Sequence, residues 1–148
     1  MTSTLARPAI GTTLLRLIVG ATFIAHGWMK LFTFGVAGTA GFLTNLGVPV
    51  AGVMAPILIA TELGGGILLV LGLLTRYVSV PLLFTMIVAI ATVHLQHGFF
   101  LPQGYEFALL LGVGLVTLVL QGSGAFALDN VIRRNARAAD AQPYRRAA

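Results

Sequence analysis

A few ionisable residues stand inside or at the edges of otherwise apolar runs: Glu62, with Arg16, His26, Lys30, His94, His97 and Glu106. Glu62 is the costliest, near the middle of the run from Val50 to Leu74. A run of that length reads as a membrane-crossing helix, since about 20 apolar residues span the hydrocarbon core. A carboxylate at mid-bilayer needs a partner, a proton or a task. Carboxylates with histidines can relay protons, because histidine titrates near neutral pH. A basic, histidine-lined pocket can hydrogen-bond a quinone carbonyl and protonate it on reduction. His26 with His94 could instead ligate a haem, and the histidines with Glu62 could bind a metal. His94 and His97 share a helical face, but with no further ligand fixed nearby that spacing identifies no metal, and no residue is assigned as a metal ligand.

Each residue also has a plainer reading. Lys30 can snorkel to the interface, and Arg16 can anchor a helix end on a lipid phosphate or a carbonyl. Glu106 suits a helix N-terminus, where it meets the positive end of the dipole. His97 reads as a loop-end residue. Glu62, His26 and His94 can serve as interhelical hydrogen bonds or ion pairs, with Arg16 or His26 as the partner of Glu62. Gly64, Gly65 and Gly66 do not form a phosphate loop, since no strand precedes them and no Gly-Lys-Ser/Thr follows. They suit close helix packing or a local kink.

The elements that position these groups are helices. The chain is 57% hydrophobic and 9% charged, against about 25% charged in a soluble domain. That composition excludes an ordinary soluble protein and predicts an all-α, four-helix transmembrane bundle. The spans are expected at about 12–32, 51–74, 77–97 and 105–121. They form one domain over 12–128, after a cytoplasmic segment 1–11 and before a basic cytoplasmic tail 129–148. Between the first two spans, glycines alternate with Phe34, Val36, Phe42, Leu43, Leu46 and Val48. This segment reads as interfacial or re-entrant, with a short amphipathic helix near Gly38–Leu46. Arg7 could begin a signal peptide, but Arg16 interrupts the apolar run and no small-x-small cleavage site follows, so retention is expected.

Charge sets the orientation. Arg7, Arg16, Arg76 and the tail residues Arg133, Arg134, Arg137, Arg145 and Arg146 fall on one side of a four-span topology. The positive-inside rule makes that side cytoplasmic, with both termini inside and the basic tail near anionic lipid. His26, Lys30, His94, His97 and Glu106 then lie in the outer half, with Glu62 near mid-depth. Arg16, His26 and Lys30 fall within an arc of roughly 80° on the first span. Nucleic acid is not expected as a partner, since no aromatic-interleaved basic fold accompanies the arginines. The absence of cysteine removes thiol redox relays and thiolate ligands from this chain.

The residues resemble the DoxX family of small bacterial membrane proteins. The likeness runs from Leu14 to Asp129. It is carried by Arg16…Gly20…Phe23…His26-Gly27…Lys30-Leu31, Gly41-Phe42-Leu43…Leu46-Gly47-Val48-Pro49 and Glu62-Leu63-Gly64-Gly65. It continues in Gly72-Leu73-Leu74-Thr75-Arg76, His94…Gly98-Phe99-Phe100, Glu106…Ala108-Leu109-Leu110 and Gly122-Ser123-Gly124…Leu128-Asp129. The resemblance implies a four-helix bundle in the bacterial inner membrane. The family takes its name from the small membrane subunit of a thiosulfate:quinone oxidoreductase, which implies redox work at the quinone pool.

The leading expectation is therefore a membrane redox component with a quinone site in its outer half. Glu62, His26 and His94 are the expected catalytic, proton-handling groups. Arg16, Lys30 and Glu106 are the expected cofactor-binding groups. Haem or a metal stays open as the cofactor. No electron carrier is evident in the sequence, so a bound cofactor or a partner oxidoreductase is expected. The second expectation is a non-catalytic anchor or assembly subunit. The third is an oligomeric transporter of protons, a metal ion or a small solute, although no inverted repeat is visible.

Overall fold

The computed structural model describes residues 6–135, with side chains from residue 9 onward. Arg137, Arg145 and Arg146 lie outside the described residues, as does the side chain of Arg7. Among the described residues the regular structure is all helical, with no strand. Helix α1 (Ala6–Trp28) runs through a π-helical segment, Met29–Phe34, into α2 (Gly35–Asn45). Helix α3 covers Ala51–Leu71 and α4 covers Thr75–Ala89. A second π-helical segment, Ile90–His94, and a 3-10 turn, Leu95–His97, extend α4. Helix α5 is Glu106–Gln121, and residues 128–135 are helical again.

Three of these stretches, Ala9–Asn45, Ala51–Leu71 and Thr75–His97, are long and apolar enough to cross a membrane. Helix α5 is apolar but has 16 residues, a rise of about 24 Å. Helix α1 packs on α3, α3 on α4, α4 on α5, and α5 on α1, which closes a four-helix bundle. Its central core holds Val19, Phe23, Leu69, Leu82, Leu115 and Leu118. The outward surface is also apolar: Leu110, Leu120 and Phe84 are exposed. That inversion of the soluble pattern fits lipid as the solvent. The protein is a multi-pass membrane protein.

Helices α1 and α3 come close because both carry glycine at the crossing. A Cβ on Gly20 would lie 2.9 Å from the Gly66 carbonyl oxygen, and one on Gly27 would lie 2.5 Å from the Leu63 nitrogen. Small residues permit such backbone approach in membranes, where dispersion drives helix association.

The interfacial element forms because Gly35 takes φ +70° and redirects the chain. Helix α2 then packs on the start of α3 through Leu43, Ala51 and Ala55. The buried Thr39 hydroxyl donates to the Lys30 carbonyl at 3.2 Å, tying α2 to the first π-helical segment.

The opposite end of the bundle is closed by charge. Gly72 takes φ +69°, with Gly72 N–H donating to Leu69 O and Leu73 N–H to Leu68 O. This left-handed helix ending suits glycine and satisfies two terminal carbonyls. The Arg16 guanidinium donates to Leu69 O at 2.6 Å, Val70 O at 3.0 Å and Phe126 O at 3.3 Å. Across the turn, the Asp129 carboxylate accepts from Leu74 N–H at 2.9 Å and Thr75 N–H at 3.4 Å. A cation thus caps the C-terminus of α3 and an anion caps the N-terminus of α4, each matched to its helix dipole.

Candidate functional site

Lys30 is the second residue of the first π-helical segment, one helical turn beyond His26. Its Nζ lies 2.6 Å from Glu62 Oε2, the one ion pair among the described residues. Both ends are well shielded: the side chains are 17% and 5% exposed. The pair needs the Gly27 contact, which brings α1 against the α3 backbone one residue from Glu62. It also needs the π-helical turn, which widens the helix and reorients the side chains that follow. Such turns recur at functional sites. The ammonium spends one of its three donors on Glu62 and has no other hydrogen bond among the described residues.

The pair lies on the wall of a cavity of about 710 Å³. Most of the lining is apolar, including Phe23, Leu58, Phe84 and Leu111 from the bundle and Phe42 and Leu46 from α2. His26, Thr61, Thr85, Thr92 and His94 add polar groups to the same lining. Large apolar cavities with a few convergent polar groups are the usual form of a small-molecule site.

The two cavity histidines differ. The His94 Nδ1 lies 2.8 Å from the Gln103 carbonyl oxygen. A carbonyl only accepts, so Nδ1 carries the proton and Nε2 is left free when the ring is neutral. His94 also sits in a π-helical segment, as Lys30 does. His26 packs its ring beside Phe107, with centroids 6.4 Å apart, and its nitrogens have no hydrogen-bond partner among the described residues.

The structure thus brings together four of the seven residues singled out in the sequence: His26, Lys30, Glu62 and His94. It does not bring Arg16 to them. Arg16 shares a helical face with Lys30 but stands 14 residues earlier on α1, about 21 Å along the axis. Its guanidinium is committed to the α3-end carbonyls of Leu69 and Val70 and to Phe126 O in the connector after α5, as an anchor would be. Glu106 also falls outside the cavity lining, although Phe107 and Ala108 belong to it. The Glu106 carboxylate accepts from Leu101 N–H at 2.8 Å and folds the 98–105 connector onto the start of α5. His97 turns back to the Val93 carbonyl at 2.9 Å and is exposed.

Sequence reasoning passed over Thr61, Thr85, Thr92 and Phe107 as cavity residues. Spacing gave no signal for them, because isolated threonines are common in apolar helices and most bond their own backbone. Thr92 donates to Val88 O and Thr85 to Leu82 O. It also passed over Asp129 as the cap of α4, a contact between segments more than 50 residues apart in sequence. Among the described residues, no three His, Cys, Asp or Glu side chains cluster as a metal site.

A family model described as DoxX matches residues 11–95. The chain is 42% identical over 120 residues to a Bacillus subtilis protein named "Putative oxidoreductase CatD", covering 81% of this chain and 85% of that one. It is 32% identical over 130 residues to the Escherichia coli "Inner membrane protein YqjF", covering 84% and 94% of the two chains. A Mycobacterium tuberculosis membrane protein matches at 32% identity over 141 residues, covering 86% and 85%. No solved structure matches the chain.

Proposed function

The chain belongs to the DoxX family of membrane proteins, and from that premise we propose that it is a small membrane redox component binding a quinone head group in the Lys30–Glu62 cavity. The observation that carries this reading is a shielded ammonium–carboxylate pair on the wall of a largely apolar cavity of about 710 Å³. The relative's name as an oxidoreductase supports the same direction.

The residues present fit such a ligand. A quinone, when bound, would supply two-electron, two-proton chemistry at its carbonyl oxygens. Lys30 Nζ retains donors for one carbonyl oxygen and stabilises negative charge developing there. Glu62 holds the ammonium in place and can take or return its proton. His26, with free ring nitrogens, and His94, with Nε2 free, exchange protons with the ligand or with water. The apolar walls exclude water and accept the ring and the start of its tail. Arg16 and Glu106, placed elsewhere, leave the ligand set to His26, Lys30, Glu62 and His94. Electrons come from a partner oxidoreductase.

The proposed setting is the bacterial inner membrane, with both termini cytoplasmic. Arg16, Arg76, Arg133 and Arg134 at one end of the bundle support that orientation by the positive-inside rule. The test is extraction of the protein purified in mild detergent, with optical spectra and metal assay on the same sample. Stoichiometric quinone that is lost on Glu62→Gln and reduced on His26→Phe supports the reading. A ligand-free protein that also fails to bind added quinone overturns it in favour of an anchor subunit.

A further inference from the structure

A second cleft, also about 710 Å³, opens at the Arg16 end of the bundle, between α1, α4, α5 and the helical stretch 128–135. Arg76 and Arg133 both line it. Neither has an ion-pair or hydrogen-bond partner among the described residues. Arg76 is exposed, but its stem is held against the protein. It packs over Gly122, where a Cβ would come within 3.0 Å of the Arg76 Nε, and Gly122 holds φ +85°. One acid, Asp129, also lines the cleft, but its carboxylate is turned to the N–H groups of Leu74 and Thr75 and forms no ion pair with either arginine. Two guanidiniums without a direct ion pair therefore face one cleft that holds a single carboxylate. Beside them stand the Ser123 hydroxyl and the apolar side chains of Leu73, Tyr77 and Ile132.

We propose that this cleft binds the phosphate headgroup of an anionic membrane lipid, with Arg76 and Arg133 as its ligands and the first acyl carbons against Leu73, Tyr77 and Ile132. Its depth fits: the cleft is built from the α3–α4 turn and the C-terminus of α5, so it lies at a membrane–water interface. Guanidinium matches phosphate geometrically, through paired parallel donors. Basic pockets at helix ends on the cytoplasmic side bind lipid headgroups by this means. The site is separate from the Lys30–Glu62 cavity and stands whether or not a quinone binds there.

The test uses the full chain, delipidated in a zwitterionic detergent. Phosphatidylglycerol, phosphatidylcholine and inorganic phosphate are added in separate arms, with lipid adducts read by native mass spectrometry and stability by melting temperature. The expected result is a retained phosphatidylglycerol adduct and a raised melting temperature in that arm alone. Arg76→Gln/Arg133→Gln weakens retention at least tenfold, while Arg76→Lys/Arg133→Lys keeps part of it. Arg134→Gln, whose residue does not line the cleft, leaves it unchanged. Equal response to phosphatidylcholine, response to inorganic phosphate alone, or equal loss in Arg134→Gln would overturn the assignment. If the double glutamine variant fails to fold, single Arg76→Gln against Arg134→Gln makes the same comparison.

Discussion

Lys30 Nζ lies 2.6 Å from Glu62 Oε2, and the two residues come from adjacent helices on the wall of a largely apolar cavity. Both charges are mostly removed from solvent, so each depends on the other. Removing one partner leaves a buried charge unpaired, which typically destabilises by about 3–5 kcal/mol. Glu62→Leu or Lys30→Met alone should therefore melt well below the wild type in detergent. Lys30→Met with Glu62→Leu together should recover most of that stability, since apolar replacement of a buried pair is often neutral. The same double variant should not bind quinone. A melting curve and a binding titration on one sample separate the two effects.

Arg16 should behave in the opposite way. Its guanidinium serves three carbonyl oxygens at the end where α3 and α4 meet, and no ligand. Hydrogen bonds to a charged group contribute about 1.5–3 kcal/mol each, and the bond to Leu69 O, at least, is buried away from water. Arg16→Met should lower the yield of folded protein sharply. Quinone affinity per folded molecule should stay at the wild-type value, which a titration normalised to the monodisperse fraction would read.

Gly27→Ala tests the helix contact that lets Lys30 reach Glu62. The added Cβ would fall 2.5 Å from the Leu63 nitrogen, so α1 and α3 must separate. Overpacking of this kind costs about 1–3 kcal/mol. Gly64→Ala is the control, because a Cβ there meets nothing within 4 Å. It should leave the melting temperature unchanged or raise it, since alanine is favoured over glycine in a helix by about 0.5–1 kcal/mol. Comparison of the two melting temperatures checks the claim.

His26 has no hydrogen bond to lose among the described residues, and its ring already lies beside Phe107. His26→Phe should change stability by less than about 0.5 kcal/mol. Ligand affinity should still fall by roughly twofold to tenfold, the equivalent of one hydrogen bond of about 0.5–1.5 kcal/mol. Affinity and melting temperature measured side by side read both.

The bundle was legible in the sequence because lipid imposes a simple rule: long apolar runs become helices. Glu62 stood out for the same reason, as a charge where charge is expensive. Its partner was not legible. A regular α-helical wheel groups Arg16, His26 and Lys30 on one face, and left Arg16 and His26 as the candidates to pair with Glu62. A shared face says nothing about depth, and Arg16 is about 21 Å from Lys30 along the axis. The π-helical turn at Met29–Phe34 also breaks the 100° periodicity on which the wheel depends. The role of Asp129 was hidden because it caps a helix that begins more than 50 residues earlier in the sequence.

The most direct test uses Trp28, the single tryptophan of the chain, two residues from both His26 and Lys30. Its fluorescence in purified protein would be followed while a short-chain quinone is added. A saturable quench is expected for the wild type and for Arg76→Gln, and no saturable quench for Lys30→Met/Glu62→Leu. A linear quench of equal slope in all three proteins would mean that quinone only partitions into the detergent, and would contradict a quinone site at the Lys30–Glu62 pair.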